Sequence, residues 1–239
     1  MTNLKRTIVY VDGLNLYGSA LKSTKLKWLD IQSMSQTITP AGHSLEAVKY
    51  FSAELSPVAS DDPEAPKRQR NYMRALEATG VDVRRGVFIV GTDWRSLDMK
   101  TSWNDRTRPP LPQNTATVLD QLEGGATRAW KVRVQLPKEK FTDVALGVEI
   151  VDDFHNEACE LAIVITNDSD FRPAIEKVVN QGHEVAVMSP GDTNKKLKAA
   201  ASWSRPLREN IYRTHQLDPI VKTTSGSQFE CPKAWKPSK

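Results

Sequence analysis

No stretch of this chain approaches the ~18 consecutive apolar residues of a membrane span, so none is expected. The apolar run in MTNLKRTIVYVDG is only about five residues long and has no small-residue cleavage site after it, so it reads as a first strand rather than a leader. Cysteine is scarce: Cys159 and Cys231 lie far apart and belong to no CxxC pair. That argues against a disulfide framework and against zinc, and makes the cytoplasm the expected compartment. The histidines, His43, His155, His183 and His215, are scattered without metal-ligand spacing, and none is assigned to catalysis. No internal repeat is present.

What remains is an ordinary globular composition over 239 residues, long enough to bury a full core without staples. The net charge of +4 is mildly basic, compatible with nucleic acid as a partner but weak evidence for one.

Strand and helix patterns alternate. Strands are expected at Thr7–Val11, Ala47–Leu55, Val81–Val90, Leu161–Thr166, Glu184–Met188 and, in short form, Asn210–Tyr212. Helices are expected at Asn15–Lys22, Pro63–Thr79, Thr142–Phe154, Phe171–Asn180 and Thr193–Ala201. In Thr142–Phe154, Val144, Val148 and Val151 share one face. Gly91–Arg128, with PPLP, GG and two Trp, reads as an insertion, and Ala129–Leu136 as a partner for the Val83–Val90 segment in a ribbon. Residues 1–215 form the expected domain, and the tail 216–239, with three Pro, is expected to be extended. This order implies an α/β, three-layer fold with a mostly parallel central sheet and helices on both faces. Ligands of such sheets sit beyond the carboxyl ends of the strands, at a switch point.

Acids occupy those ends. Asp12 closes the first strand, and Asp168 and Asp170 follow the strand Leu161–Thr166. Asp143 opens the helix from Thr142. Each has an ordinary structural reading: a turn Asp before Gly, an N-cap, a carboxylate favoured by the helix dipole. Jointly, converging carboxylates would raise one another's pKa unless a cation neutralised them. Oxygen ligands without His or Cys select Mg²⁺ or Mn²⁺, and such a site suits phosphodiester hydrolysis.

Three blocks, IVYVDGLNLYG, KEKFTDVALGVEIVDD and AIVITNDSDFRPAIEKV, resemble in order and spacing the signature blocks of NYN-domain proteins, a branch of the PIN-like ribonuclease superfamily. The resemblance spans roughly Arg6 to Tyr212. It implies a PIN-like fold with an acidic, metal-dependent site acting on RNA, single-stranded or structured, and is compatible with a homodimer. By position it makes Asp12, Asp143, Asp168 and Asp170 both the catalytic and the metal-holding residues. It makes Asn15 a hydrogen-bond donor to phosphate or to metal-held water, and places Ser169 among the substrate contacts. Thr166-Asn167 stands where many members have Ser-Gly, which leaves the acids intact. Glu149 lies about 240° around the helix from Asp143 and is expected to face elsewhere.

Basic groups that could hold substrate include Lys67, Arg68, Arg70, Arg74, Arg84, Arg85, Arg106, Arg108, Lys138, Lys195, Lys196 and Lys198. Solvated faces explain most such runs. Lys140 is the exception, because its place in the chain sets it beside Asp143. Arg172 would contact phosphate or balance Asp168 and Asp170. Trp94 and Trp103 would stack on bases or pack locally. Two further readings use the same fold: a silent RNA-binding scaffold, and a flap-type DNA nuclease. A phosphotransferase of the haloacid dehalogenase kind is disfavoured, since it needs a second Asp two residues after the first and Leu14 stands there.

Overall fold

The computed structural model describes residues 4–55, 62–96 and 131–236. Most of the predicted insertion, with Trp103, Arg106 and Arg108, lies outside these residues, as does the side chain of Trp94. The chain divides into two units, Met1–Ile89 with Lys138–Lys239, and Val90–Pro137. Of the second, the described part is the end of one strand and the start of the next.

Seven strands form one sheet: β1 (Lys5–Asp12), β2 (His43–Glu54), β3 (Asp82–Ser96), β4 (Lys131–Lys140), β5 (Leu161–Ile165), β6 (Glu184–Pro190) and β7 (Trp203–Leu207). Their order is β4-β3-β2-β1-β5-β6-β7, so the ribbon partners β3 and β4 are neighbours. From β3 across to β7 every pairing is parallel. Successive strands run outward from β1 in one direction and from β5 in the other, which puts the switch point between these two. Their register pairs Val11 with Ile165, so Asp12 and Thr166 emerge side by side.

Central strands buried on both faces need continuous apolar runs, and TIVYV and LAIVI supply them. Side chains alternate between the two faces. Val9, Val11, Leu161, Ile163 and Ile165 point to one core, where α2 (Ile31–Ile38) contributes Met34 and α3 (Ala65–Ala78) contributes Met73 and Leu76. Ile8, Tyr10, Ala162 and Val164 point to the other. There α4 (Thr142–His155) contributes Leu146, Ile150 and Phe154, α5 (Arg172–Asn180) contributes Ile175 and Val178, and α6 (Lys195–Ala200) contributes Leu197. Each such side chain contributes about 1.5–3 kcal/mol by leaving water.

The structure departs from the sequence-based expectation in several places. The buried stripe of α4 is Thr142, Leu146, Ile150 and Phe154, at four-residue spacing. Val144 and Val148 instead stand 70% and 60% exposed. The helix is apolar over most of its circumference, so periodicity alone does not choose a face; the larger side chains take the core. The segment expected as a strand at Asn210–Tyr212 is part of a helix, α7 (Glu209–Thr214), with Tyr212 buried. The edge strand is β7, hidden in the sequence by Pro206. At a sheet edge the missing N–H of proline leaves no ladder bond unmade. Helix α2 follows its cap Asp30, whose carboxylate accepts from the Ser33 N–H at 2.9 Å. The segment after Leu217 is not simply extended: β8 (Ile220–Lys222) pairs antiparallel with β9 (Gln228–Glu230), and Val221 and Cys231 join the first core.

At the end of β1 the chain turns into α1 (Gly13–Leu16), which runs on as a wider turn over Tyr17–Leu21. A Cβ at Gly13 would lie 2.4 Å from Tyr50 Cζ and 2.8 Å from the Phe51 carbonyl oxygen. Gly13 is therefore required by space rather than by a positive φ. Gly13→Ala is expected to destabilise the protein by about 1–3 kcal/mol, because backbone cannot yield to the new methyl. Urea unfolding would measure this, and an unchanged midpoint would contradict it.

Candidate metal centre and nuclease site

The site begins with Asp12, which is only 8% exposed. Its Oδ1 accepts from the Asn15 backbone N–H at 3.0 Å, capping α1. Its Oδ2 accepts from the Thr166 hydroxyl at 2.9 Å. The same hydroxyl accepts from the Asp168 N–H at 3.1 Å, and Asp168 Oδ1 accepts from the Asp170 N–H at 2.9 Å. One chain of bonds thus joins the end of β1 to the acidic loop after β5. A parallel chain runs beside it: the Asn167 N–H donates to Asn15 Oδ1 at 2.9 Å, and the Asn194 N–H donates to Asn167 Oδ1 at 2.8 Å. Thr166 and Asn167, the pair that departs from the family's Ser-Gly, are therefore the pieces that hold Asp12 and Asn15 in place.

The N-cap role suggested for Asp170 belongs to Asp168, which caps the short turn Ser169–Phe171. That leaves the Asp170 carboxylate exposed. Asp143 sits in the first turn of α4, held there by the dipole-favoured end of the helix. Burial pushes the Asp12 carboxyl up to about 6, partly offset by its bonds to Asn15 and Thr166, with Asp143 and Asp168 adding repulsion. Burial also raises Asp143, with repulsion from Asp168 and Asp170. The mutual repulsion puts the four aspartates at one place.

A fifth acid joins them that sequence reasoning missed. Burial lifts Glu139 to about 7, with Asp143 and Asp12 adding to it. It accepts a hydrogen bond from the Thr142 hydroxyl. In the sequence it lies between Lys138 and Lys140, in a run that reads as basic; its four-residue offset from Asp143 was the available signal.

Hard oxygen donors are thus gathered, yet among the described residues no three acids stand grouped as a metal site. The carboxylates are near enough to raise one another without closing around a point at the ~2.0–2.6 Å reach of an oxygen–ion bond. Both observations follow from like charges that spread apart while anchored by their hydrogen bonds. The donor chemistry itself fits a hard divalent ion, and the raised proton affinities are those of a site short of positive charge.

The other predicted residues fall as follows. Lys140 is exposed on the segment leading into Asp143, and Ser169 is half-buried between the two loop acids. Arg172 lies along α5, its Nε 2.6 Å from Glu176 Oε1. Glu149 faces away from the acids, in ion pairs with Lys49 at 2.7 Å and Arg84 at 3.0 Å. Arg68 and Arg85 are likewise paired, with Asp62 and Glu77. From Asp143 and Asp170 an open groove of about 750 Å³ runs between α4 and α5, floored by Val144, Val148, Phe171 and Ala174 and reaching His155. At its acidic end stands Phe141, 65% exposed and in the left-handed backbone region at φ 81°. No helix among the described residues is long and apolar enough to cross a membrane.

Comparison with known proteins agrees with this geometry. The NYN domain family model matches residues 111–207, which include the second and third blocks and leave the first to be joined to them by the Asp12–Thr166 bond. A curated relative, 6-hydroxy-3-succinoylpyridine 3-monooxygenase HspA of Pseudomonas putida, is 27% identical over 191 residues, covering 72% of this chain and 55% of its own length. The chain thus spans about half of that relative, whose printed activity is its own. A solved structure of a protein of unknown function from Vibrio parahaemolyticus shares the fold at a TM-score of 0.50 and 15% identity, over 90% of this chain and 97% of that one. The chain carries an NYN domain on the mostly parallel α/β sheet of the PIN-like superfamily.

Proposed function

We propose that the protein is a divalent-cation-dependent endoribonuclease that hydrolyses phosphodiester bonds at the face formed by Asp12, Asp143, Asp168 and Asp170. The observation that carries this reading is the convergence of carboxylates from three distant segments at the switch point of the sheet, each raising the others' proton affinity. Evolving such repulsion without a counter-charge serves no structural end, since the acids cost stability when ionised.

These four aspartates would hold Mg²⁺ or Mn²⁺. When bound, that ion supplies charge stabilisation at the phosphate and a water of lowered pKa. The chain's own groups do the rest. Asn15, whose Oδ1 is already engaged, has its Nδ2 left to donate to a phosphate oxygen. Ser169 offers a hydroxyl and Lys140 an exposed ammonium on the same side. Water adds to phosphorus as the bond to the leaving ribose oxygen breaks, and the proton the water loses is balanced by the one that oxygen gains. The apolar groove and Phe141 give unpaired bases a surface to lie on, which favours single-stranded over duplex substrate.

The test incubates purified protein with single-stranded RNA, structured RNA and DNA in Mg²⁺, Mn²⁺ or EDTA. RNA cleavage is expected with either ion, abolished by EDTA and by Asp168→Asn. Wild type and variant binding RNA equally, with neither cutting, would establish the scaffold reading instead. Cleavage of flapped DNA in preference to RNA would establish the DNA nuclease.

A further inference from the structure

Behind Asp12, on the side of the sheet away from the groove, lies a second and more enclosed pocket of about 100 Å³. Its floor is Gly13, where a side chain would strike Tyr50. Its walls are aromatic: Tyr17, Tyr50, Tyr72 and Trp235. The last three form a tilted and edge-on cluster, with Tyr72 and Trp235 centroids 5.9 Å apart and Tyr50 and Tyr72 6.3 Å apart. Two cations, Lys27 and Arg68, complete the lining. Arg68 spends one end on Asp62, while its Nε is buried without a hydrogen-bond partner among the described residues. Burial holds Lys27 below its ordinary ammonium value, with Lys25 and Arg68 adding like-charge repulsion.

A buried guanidinium nitrogen left without an acceptor, beside a second cation, is costly unless a ligand supplies the anion. Aromatic faces beside it favour a planar ring, and a cavity of this order accommodates a single ring. The C-terminal segment builds the pocket's outer wall. Trp235 is brought there by Lys25 Nζ donating to the Ala234 carbonyl at 3.0 Å, Asn71 Nδ2 donating to the Glu230 carbonyl at 2.8 Å and Trp28 Nε1 donating to the Asp218 carbonyl at 2.8 Å.

From this we infer that the pocket binds a nucleoside monophosphate group, its base among Tyr17, Tyr50 and Trp235 and its phosphate between Lys27 and Arg68. The inference rests on the nuclease reading only for its choice of a nucleotide over other aromatic anions: the floor residue directly follows Asp12, so an occupant is held next to the acids. The C-terminal hairpin then has a part in recognition, since it delivers one wall of the site.

The probes are adenosine 5′-monophosphate, adenosine, inorganic phosphate, and a tetranucleotide with or without a 5′-phosphate, titrated against the full chain by calorimetry in EDTA, so that no cleavage is required. Adenosine 5′-monophosphate is expected to bind at least tenfold tighter than adenosine or phosphate alone. Lys27→Ala and Trp235→Ala are each expected to weaken it at least tenfold, and Asp168→Asn to leave it unchanged. Tyr17→Ala, at an exposed position, serves as the aromatic variant if Trp235→Ala does not fold. Tighter binding of the 5′-phosphorylated tetranucleotide than of its 5′-hydroxyl form assigns the pocket to a strand end; tighter binding of the free nucleotide than of either assigns it to a soluble ligand. Absence of saturable binding, equal binding of adenosine, or full binding in Lys27→Ala and the folded aromatic variant overturns the assignment. Because Asp168→Asn blocks only cleavage, a nuclease without nucleotide binding here and a nucleotide binder without nuclease activity give different results.

Discussion

Asp12→Asn is expected to reduce RNA cleavage by about 10²–10³-fold or more, the range seen when one preorganised electrostatic group is lost at a reacting centre, and at the same time to make the protein more stable at neutral pH. The two effects have one cause. The folded protein holds the Asp12 carboxyl at about 6, against an ordinary value of 3.8. Between these values the folded state binds more protons than the unfolded state, so stability falls as pH rises through that window and the loss is complete above about 6. At about 1.36 kcal/mol per pH unit the penalty approaches 3 kcal/mol, shared among acids that repel one another. Asparagine removes the charge yet still accepts from the Asn15 N–H, so the helix cap survives. Melting curves at pH 5 and pH 7.5 check this: the variant should melt several degrees above wild type at pH 7.5, and the gap should close toward pH 5. Adding Mg²⁺ should raise the wild-type melting temperature and narrow the gap, since a ligand bound only by the folded state stabilises it. A variant that is fully active, or less stable at both pH values, would reduce Asp12 to a helix cap.

The largest stability loss is expected on the opposite side of α4. Lys49, on β2, has its ammonium 2.7 Å from both Glu149 and Asp153, with the side chain only 12% exposed. Tyr10 donates its hydroxyl to Asp153 Oδ2 at 2.5 Å. Burial alone would lower the Lys49 pKa, but its hydrogen bonds to Asp153 and Glu149 leave it raised. Lys49→Met keeps the length and removes the charge, stranding two carboxylates beside an apolar face. A loss of about 3–5 kcal/mol is expected, as for other half-broken buried pairs. The loss should shrink as pH is lowered toward the carboxylate range, because the stranded acids then take up protons. Asp153→Leu combined with Lys49→Met should recover much of the loss. Urea unfolding of the single and double variants decides this. Equal midpoints for wild type and Lys49→Met would show the network to be a surface pair of little weight. Because α4 carries Asp143 at its first turn, the single variant should also lose activity beyond what its unfolded fraction explains.

Much of the molecule was legible in the sequence because its central strands are buried on both sides. TIVYV and LAIVI can hardly be anything but interior parallel strands, and the acids at their ends then mark the switch point. Where the apolar pattern is ambiguous, legibility failed. On α4, Val144 and Val148 and the stripe of Leu146, Ile150 and Phe154 both satisfy a helical period, and only packing against β1 and β5 chose between them. The segment at Asn210–Tyr212 is too short for any period to speak, and the hairpin after Leu217 is held by bonds to distant residues, Trp28, Asn71 and Lys25, that no local pattern announces.

By itself, then, the sequence determined the strands, the family blocks and the set of four aspartates, since each is a matter of local composition and order. The meeting of Asp12 with Thr166, the entry of Glu139 into the acidic face, and the aromatic pocket closed by Trp235 were decided only by the tertiary structure. Their partners stand 154 residues apart in the Asp12–Thr166 bond and 209 in the bond from Lys25 to Ala234. Such contacts exist only once the sheet has set its register and burial has removed the water that would otherwise separate them.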